Sequence, residues 1–133
     1  MGPVPINYLA VVLAAIAGFL TGWGWYTVFG KMWLGALGKA KGDLKPTPLP
    51  FILSMLANLL MAYILAGVIG HVHVMTVRGG VISALFVWAG FVATTMVVTQ
   101  QFEGQKPLLT AIDVGHWLAV LVVMGVIIGL FGA

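Results

Sequence analysis

The chain has no cysteine, which excludes disulfides, thiolate metal sites and cysteine nucleophiles together while leaving the redox compartment open. Charge is nearly as scarce: six basic and three acidic residues make up 7% of the 133, against about 25% in soluble domains. No phosphate loop, nucleophile elbow or paired-carboxylate pattern is present, so no catalytic residue and no enzyme activity are expected. The net charge of +3 does not indicate nucleic acid. Four of the six basic residues, Lys31, Lys39, Lys41 and Lys45, fall in one segment between apolar runs, which is the pattern that orients a membrane protein.

What fills the chain instead is apolar. It is 62% hydrophobic, with 18 glycines, 7 methionines, 5 tryptophans and a mean hydropathy of +1.13. A body this small exposes too much surface to hide that composition from water, so the lipid bilayer is the partner of most of the chain. Four apolar runs, at about 5–29, 51–70, 79–101 and 108–131, each approach the roughly 20 helical residues that cross a hydrocarbon core. None alternates polar with apolar residues, and an open sheet edge has no hydrogen-bond partners in lipid. The expected fold is all-α: one domain over 1–133, an integral membrane four-helix bundle. The second and third connections, about 8 and 6 residues long, are short enough to force antiparallel neighbours and an up-and-down order. The first run is read as a retained span and not as a cleaved leader. No Lys or Arg precedes it, and it ends in Trp23, Gly24, Trp25 and Tyr26, residues suited to the headgroup boundary.

The first and third loops carry five basic residues, the four lysines above and Lys106, against Arg78 alone on the other side. This imbalance predicts that both loops face the cytoplasm and both chain ends lie outside. Within the first loop, 30–50, the residues Phe29, Met32, Trp33, Ala36, Leu37 and Ala40 recur at helical spacing, with Lys31 and Lys39 off the stripe. Two readings stay open: a separate amphipathic helix on the cytoplasmic surface, or an extension of the first span, with Lys31 and Trp33 as interface anchors in either.

Polar side chains at membrane depth are costly unless paired or wet, so they are the candidate site. Asp113 lies about 9 Å into the fourth span, with His116 one turn deeper on the same face. Asn58 sits at comparable depth in the second span; the third brings Thr94, Thr95, Thr99 and Gln100, and the first brings Trp25 and Tyr26. All fall in the same half of the membrane, which predicts one polar layer. Either Asp113 and His116 titrate against each other in a small polar cavity, or the layer is a hydrogen-bonded cluster fixing helix register, with Asp113 neutral or paired to His116 or Lys31.

Small residues recur every four positions as Ala10, Ala14, Gly18 and Gly22 in the first span, Ala62, Ala66 and Gly70 in the second, and Gly125, Gly129 and Ala133 in the fourth. Such stripes let helix backbones approach, either within the bundle or in a homo-oligomer. His71 and His73 have no third ligand nearby, and His116 lies at the wrong depth to pair with either on a haem, so no metal site and no cofactor are expected.

Trp25-Tyr26, then Phe29-Gly30-Lys31 and Trp33, Trp88-Ala89-Gly90-Phe91, Phe102-Glu103, Ile112-Asp113 and the glycine-rich last span together resemble bacterial membrane-protein family 1761 of the domain-of-unknown-function series. The resemblance covers nearly the whole chain. It implies a four-span protein of the bacterial inner membrane and brings no activity with it. Where that family's pattern has Tyr-His after Asp-x-Gly, this chain has His116-Trp117.

Two functions are therefore carried forward. One is a homo-oligomeric transporter or channel-like protein whose polar layer admits a proton, cation or small polar solute. The other is a non-catalytic assembly subunit that packs its small-residue stripes against a larger membrane complex.

Overall fold

The computed structural model describes residues 6–39 and 47–132. Ala40, Lys41, Lys45 and Ala133, which entered the stripe and charge arguments, lie outside the described residues. Four helical spans are present, at Tyr8–Leu37, Leu49–His71, Val77–Phe102 and Pro107–Phe131. Among the described residues there is no strand. A chain in lipid must satisfy its backbone within each segment, and these long runs without polar punctuation do so as helices.

The ends of the spans follow local chemistry. Asn7 caps the first by accepting from the Ala10 amide at 3.2 Å, and Thr76 caps the third by accepting from the Gly79 amide at 2.9 Å. Pro50 and Pro107 sit in the first turns of the second and fourth, where a missing amide costs nothing. The first helix runs unbroken for 30 residues and ends at Gly38, whose φ of 74° allows the Gly38 and Lys39 amides to close on the Gly35 and Leu34 carbonyls. Residues 30–37 are thus an extension of the first span, the second of the two readings of the loop, and not a separate surface helix. Ala36 is buried, so the extension has a protein contact face to hold it.

The first span packs against the second and fourth, and the fourth against the first and third; the second meets the third and fourth only lightly. The fourth span is the most buried and the third the least. Small side chains make up much of the core, with Ala14, Ala62 and Ala84 fully buried beside Ile69, Val120 and Met124. Lipid offers no hydrophobic drive between helices, so close backbone approach has to supply the contact. At the third–fourth crossing Gly80 and Gly125 face each other so tightly that a Cβ on either would strike the other's carbonyl, and Gly129 lies against the Thr76 backbone in the same way. The first-span stripe is also spent inside the chain. A Cβ at Gly18 would stand 2.6 Å from both Asn58 Oδ1 and Met124 Cε.

The third span is not a uniform α-helix. Its turns Val77–Val87 and Thr94–Phe102 flank a π-helical stretch, Trp88–Ala93. The wider π turn re-aims every side chain after it. This decides which polar residues of the third span face the bundle.

Candidate functional site

Asp113 is a half-buried junction of three spans. Its Oδ1 accepts from the Tyr26 hydroxyl at 2.6 Å and from Trp33 Nε1 at 3.1 Å, and its Oδ2 accepts from Gln100 Nε2 at 3.0 Å. Tyr26 and Trp33 stand on the same side of the first helix, two turns apart, and their rings meet edge to face with centroids 5.6 Å apart. They reach the carboxylate from either side only because the helix continues past residue 30. Three donors occupy most of the roughly four lone-pair directions of a carboxylate. Hydrogen bonds to a carboxylate are the strong kind, so this residue ties the first, third and fourth spans together. Two tryptophans extend the tie along the fourth helix: Trp25 Nε1 donates to the Ile112 carbonyl at 3.1 Å and Trp88 Nε1 to the Val114 carbonyl at 2.9 Å.

One turn deeper the character changes. The His116 ring lies against Tyr26 and Trp117, with centroids 4.9 and 4.5 Å away, and its Nδ1 is buried without a hydrogen-bond partner among the described residues. Its Nε2 faces Gly22, where a Cβ would stand only 2.7 Å away. Asn58 is 2% exposed. Its amide nitrogen donates to the Ser54 carbonyl at 2.7 Å, while its Oδ1 is without a partner among the described residues. Buried polar atoms are normally satisfied, so two such atoms on neighbouring residues are notable. Both residues line a cleft of about 400 Å³ between the first, second and fourth spans, along with Gly18, Gly22, Tyr26 and Ser54. Its outer wall is aromatic, from Phe19, Trp23 and Phe51, and among the described residues no Asp, Glu, Lys or Arg lines it.

A second cleft, of about 530 Å³, opens at the opposite end of the bundle between the same three helices, lined by Asn7 and Ala10, Ala66 and Gly70, and Ile128 and Phe131. Between the two clefts the seam is shut by Ala14, Ala62, Val120 and Met124, all fully buried. From Ala10 to Gly18 and from Asn58 to Ala66 the closed stretch is about 12 Å of helix.

The polar layer expected from sequence therefore divides. Asp113, Tyr26 and Gln100 meet directly, and Trp25 bonds the backbone one residue away from Asp113. Asn58 and His116 belong to the cleft. Thr94, Thr95 and Thr99 do not join either group: all three are exposed, and Thr94 and Thr95 bond back to the Gly90 and Phe91 carbonyls of their own helix. All four residues lie in the regular turns Thr94–Phe102, where helical spacing puts Gln100 on a different face from the threonines, and it is the Gln100 face that meets Asp113. Trp33, expected as an interface anchor, is instead a partner of Asp113. Lys31 is exposed and is not a partner of Asp113, whose hydrogen bonds among the described residues come from uncharged groups. His116 makes no hydrogen bond to Asp113 despite the shared face. Trp88 and Ser54 were not anticipated; Trp88 stands at the start of a π stretch that no hydrophobic pattern announces. His71 is exposed and turns its Nδ1 to the Gly67 carbonyl at 2.9 Å. Among the described residues no three His, Cys, Asp or Glu side chains gather as a metal would require.

Residues 9–129 match the family described as Protein of unknown function (DUF1761). The chain belongs to that family. The match takes in all four spans, the Asp113 junction and the Asn58–His116 cleft, so both belong to the part of the chain that defines DUF1761 membership. No curated protein and no solved structure matches the chain.

Proposed function

We propose that this DUF1761 protein is a channel-like or transporter-like membrane protein for a small uncharged polar solute, with its path along the seam between the first, second and fourth spans. The observation that carries the reading is the pair of clefts at opposite ends of one seam, separated by about 12 Å of small side chains and Met124. Irregular space at membrane depth is tolerated where it forms a cavity, and polar groups facing such a cavity mark a solute path. The walls favour an uncharged solute over a proton or cation: the clefts carry amide, hydroxyl and imidazole groups, and Asp113 stands behind Tyr26 with its oxygens already engaged. In this reading the lysine-bearing side is cytoplasmic and the two ends face outward, as in a bacterial inner membrane.

The supporting role in a larger complex draws less from the molecule, because Ala10, Ala14, Gly18, Gly125 and Gly129 are already buried within the chain.

Stopped-flow light scattering on vesicles containing the purified protein tests the reading with glycerol as the solute. Glycerol entry above the protein-free rate is expected, and it should rise further in Met124→Ala, which thins the closed stretch. No protein-dependent glycerol entry in either form would overturn it.

A further inference from the structure

Gln100 meets Asp113 with one end of an amide. Its Nε2 donates to Oδ2 at 3.0 Å, and its Oε1, at the other end of the same flat group, is buried with no partner among the described residues. An amide donates at one end and accepts at the other, so turning it over about its last bond exchanges the two while the rest of the side chain stays in place. The two oxygens of Asp113 are not equivalent toward a proton. Among the described residues Oδ1 already takes two donors, Tyr26 at 2.6 Å and Trp33 at 3.1 Å, whereas Oδ2 takes Gln100 alone. A proton added at Oδ1 has to displace a donor. One added at Oδ2 leaves both donors on Oδ1, now the carbonyl oxygen of the acid, and needs only an acceptor in front of it. The turned amide supplies that acceptor.

We propose that Asp113 and Gln100 form a reversible proton-binding site: Oδ2 takes up a proton from water, the Gln100 amide turns over, and the hydrogen bond between them persists with its direction reversed. An O–H bond forms at Oδ2 and the carboxylate charge is neutralised, with no other group gaining or losing a proton. Three hydrogen bonds hold Asp113 in either form, and each form leaves one end of the amide without a partner among the described residues. Both residues are half-buried, Gln100 in the last turn of the third span and Asp113 in the second turn of the fourth, so the proton is exchanged with the aqueous side that these two helix ends share. Few other titratable groups stand near among the described residues. Tyr26 of the first span gives its own proton to Oδ1; His116, one turn along the fourth, turns its ring to Tyr26 and Trp117; Lys31, Glu103 and Lys106 are exposed; and the second span brings Ser54 and Asn58, which do not titrate. Hydrogen bonds to an ionised group are roughly twice as strong as neutral ones, so the proton sets how tightly Tyr26 and Trp33 hold the first span to the fourth. Tyr26 is also a wall of the Asn58–His116 cleft, and the change in its bond is felt there. The proton is held beside the seam and not passed along it, so this goes beyond the solute path proposed above and does not rest on it.

Asp113→Asn copies the protonated form. Trp33 can only donate, so the asparagine has to keep its oxygen toward Trp33 and Tyr26 and give its amide nitrogen to Gln100, which then presents Oε1. The test is nuclear magnetic resonance on the full chain in detergent micelles across a pH titration, with isotope labels in the glutamine and tryptophan side-chain nitrogens and in the aspartate carboxyl carbon. Asp43→Asn leaves Asp113 as the remaining aspartate, so its carboxyl carbon is read alone. As the pH falls, that carbon is expected to pass from carboxylate to acid. In the same transition the Gln100 amide protons should shift upfield as they leave the carboxylate, while the Trp33 indole signal stays in its hydrogen-bonded position. In Asp113→Asn the Gln100 signals should stand at the acid position at every pH. Gln100 signals that hold still while Asp113 titrates, or that stand at the alkaline position in Asp113→Asn, would overturn the reversal. A Trp33 signal that becomes unbonded as the proton arrives would show the junction opening instead, and a carboxyl carbon that stays a carboxylate until the chain unfolds would remove the proton site altogether. These signals are read without any solute, so proton uptake and glycerol entry fail or stand separately.

Discussion

Two polar groups lie one helical turn apart in the same half of this membrane protein, and they are built on opposite principles. Around Asp113 every donor within reach is spent on the carboxylate: Tyr26, Trp33 and Gln100 converge on it from two other spans. Asn58 and His116 line a cleft, and each keeps one fully buried atom without a partner among the described residues. Satisfied networks rigidify a fold, and unsatisfied ones cost stability unless water or a ligand completes them. The difference separates a filled hydrogen-bond junction from a group with hydrogen-bonding capacity to spare, although both read alike as polar residues in apolar helices. The partial exception is Gln100, whose Oε1 is also unpartnered; its amide nitrogen is already bound to Asp113.

Each of the following substitutions either sharpens that contrast or breaks it. The largest loss of stability is expected from Asp113→Leu, which strands Tyr26, Trp33 and Gln100 together and should cost roughly 3 kcal/mol or more, since each stranded donor costs about 1–3 kcal/mol. Thermal unfolding in detergent measures it, and Asp113→Asn should recover much of the loss and support glycerol entry at close to the parent rate. Asn retaining stability but abolishing entry would move Asp113 from the structural group to the functional one.

Gly18→Leu comes next. It forces a branched side chain against Asn58 Oδ1 and Met124, and overpacking of this kind costs about 1–3 kcal/mol. A lower melting temperature with unchanged oligomeric state, seen by cross-linking in the membrane, is the expected outcome because the stripe is inside the bundle. Loss of a dimer with the monomer's melting intact would show the stripe to be an intermolecular face after all.

Asn58→Ala is expected to change stability by only about 1 kcal/mol, since it removes one hydrogen bond to Ser54 and one acceptor that was unsatisfied already. Its signature is functional: slower glycerol entry at near-parental melting temperature. A destabilisation as large as that of Asp113→Leu would place Asn58 in the structural group and erase the contrast.

The smallest perturbation tests which side of the membrane both clusters face. Single cysteines at Lys39 and Phe131, both exposed, should label differently with an impermeant thiol reagent on intact cells, Phe131→Cys reacting and Lys39→Cys not. The opposite pattern reverses the orientation.

Much of the architecture was legible from composition and run length. Four spans follow from apolar runs, and their antiparallel order from short connections, because lipid leaves the backbone few alternatives to the helix. The Asp113 junction was partly legible too, since depth alone brings Tyr26 and Gln100 to its level. Thr94, Thr95 and Thr99 pass the same depth test and fail in three dimensions. Depth fixes a position along the helix axis and says nothing of the direction around it, and the π stretch at Trp88–Ala93 resets that direction for the rest of the third span. The sequence makes Trp33 an interface anchor for a related reason: whether the chain past residue 29 turns onto the surface or continues as helix depends on a partner for its far face, and Trp33 finds that partner in Asp113 of the fourth span.

Sequence alone determined that this chain lies in a bilayer, that it crosses it as four helices, and that its polar side chains gather in one half, because transfer from water to lipid is governed by composition over some twenty residues at a time. Which of those polar groups satisfy one another was decided only by the tertiary structure. Hydrogen bonds act over about 3 Å and in particular directions, so the split between the filled Asp113 junction and the open Asn58–His116 cleft depends on helix rotation and close glycine packing, which no run of hydropathy encodes.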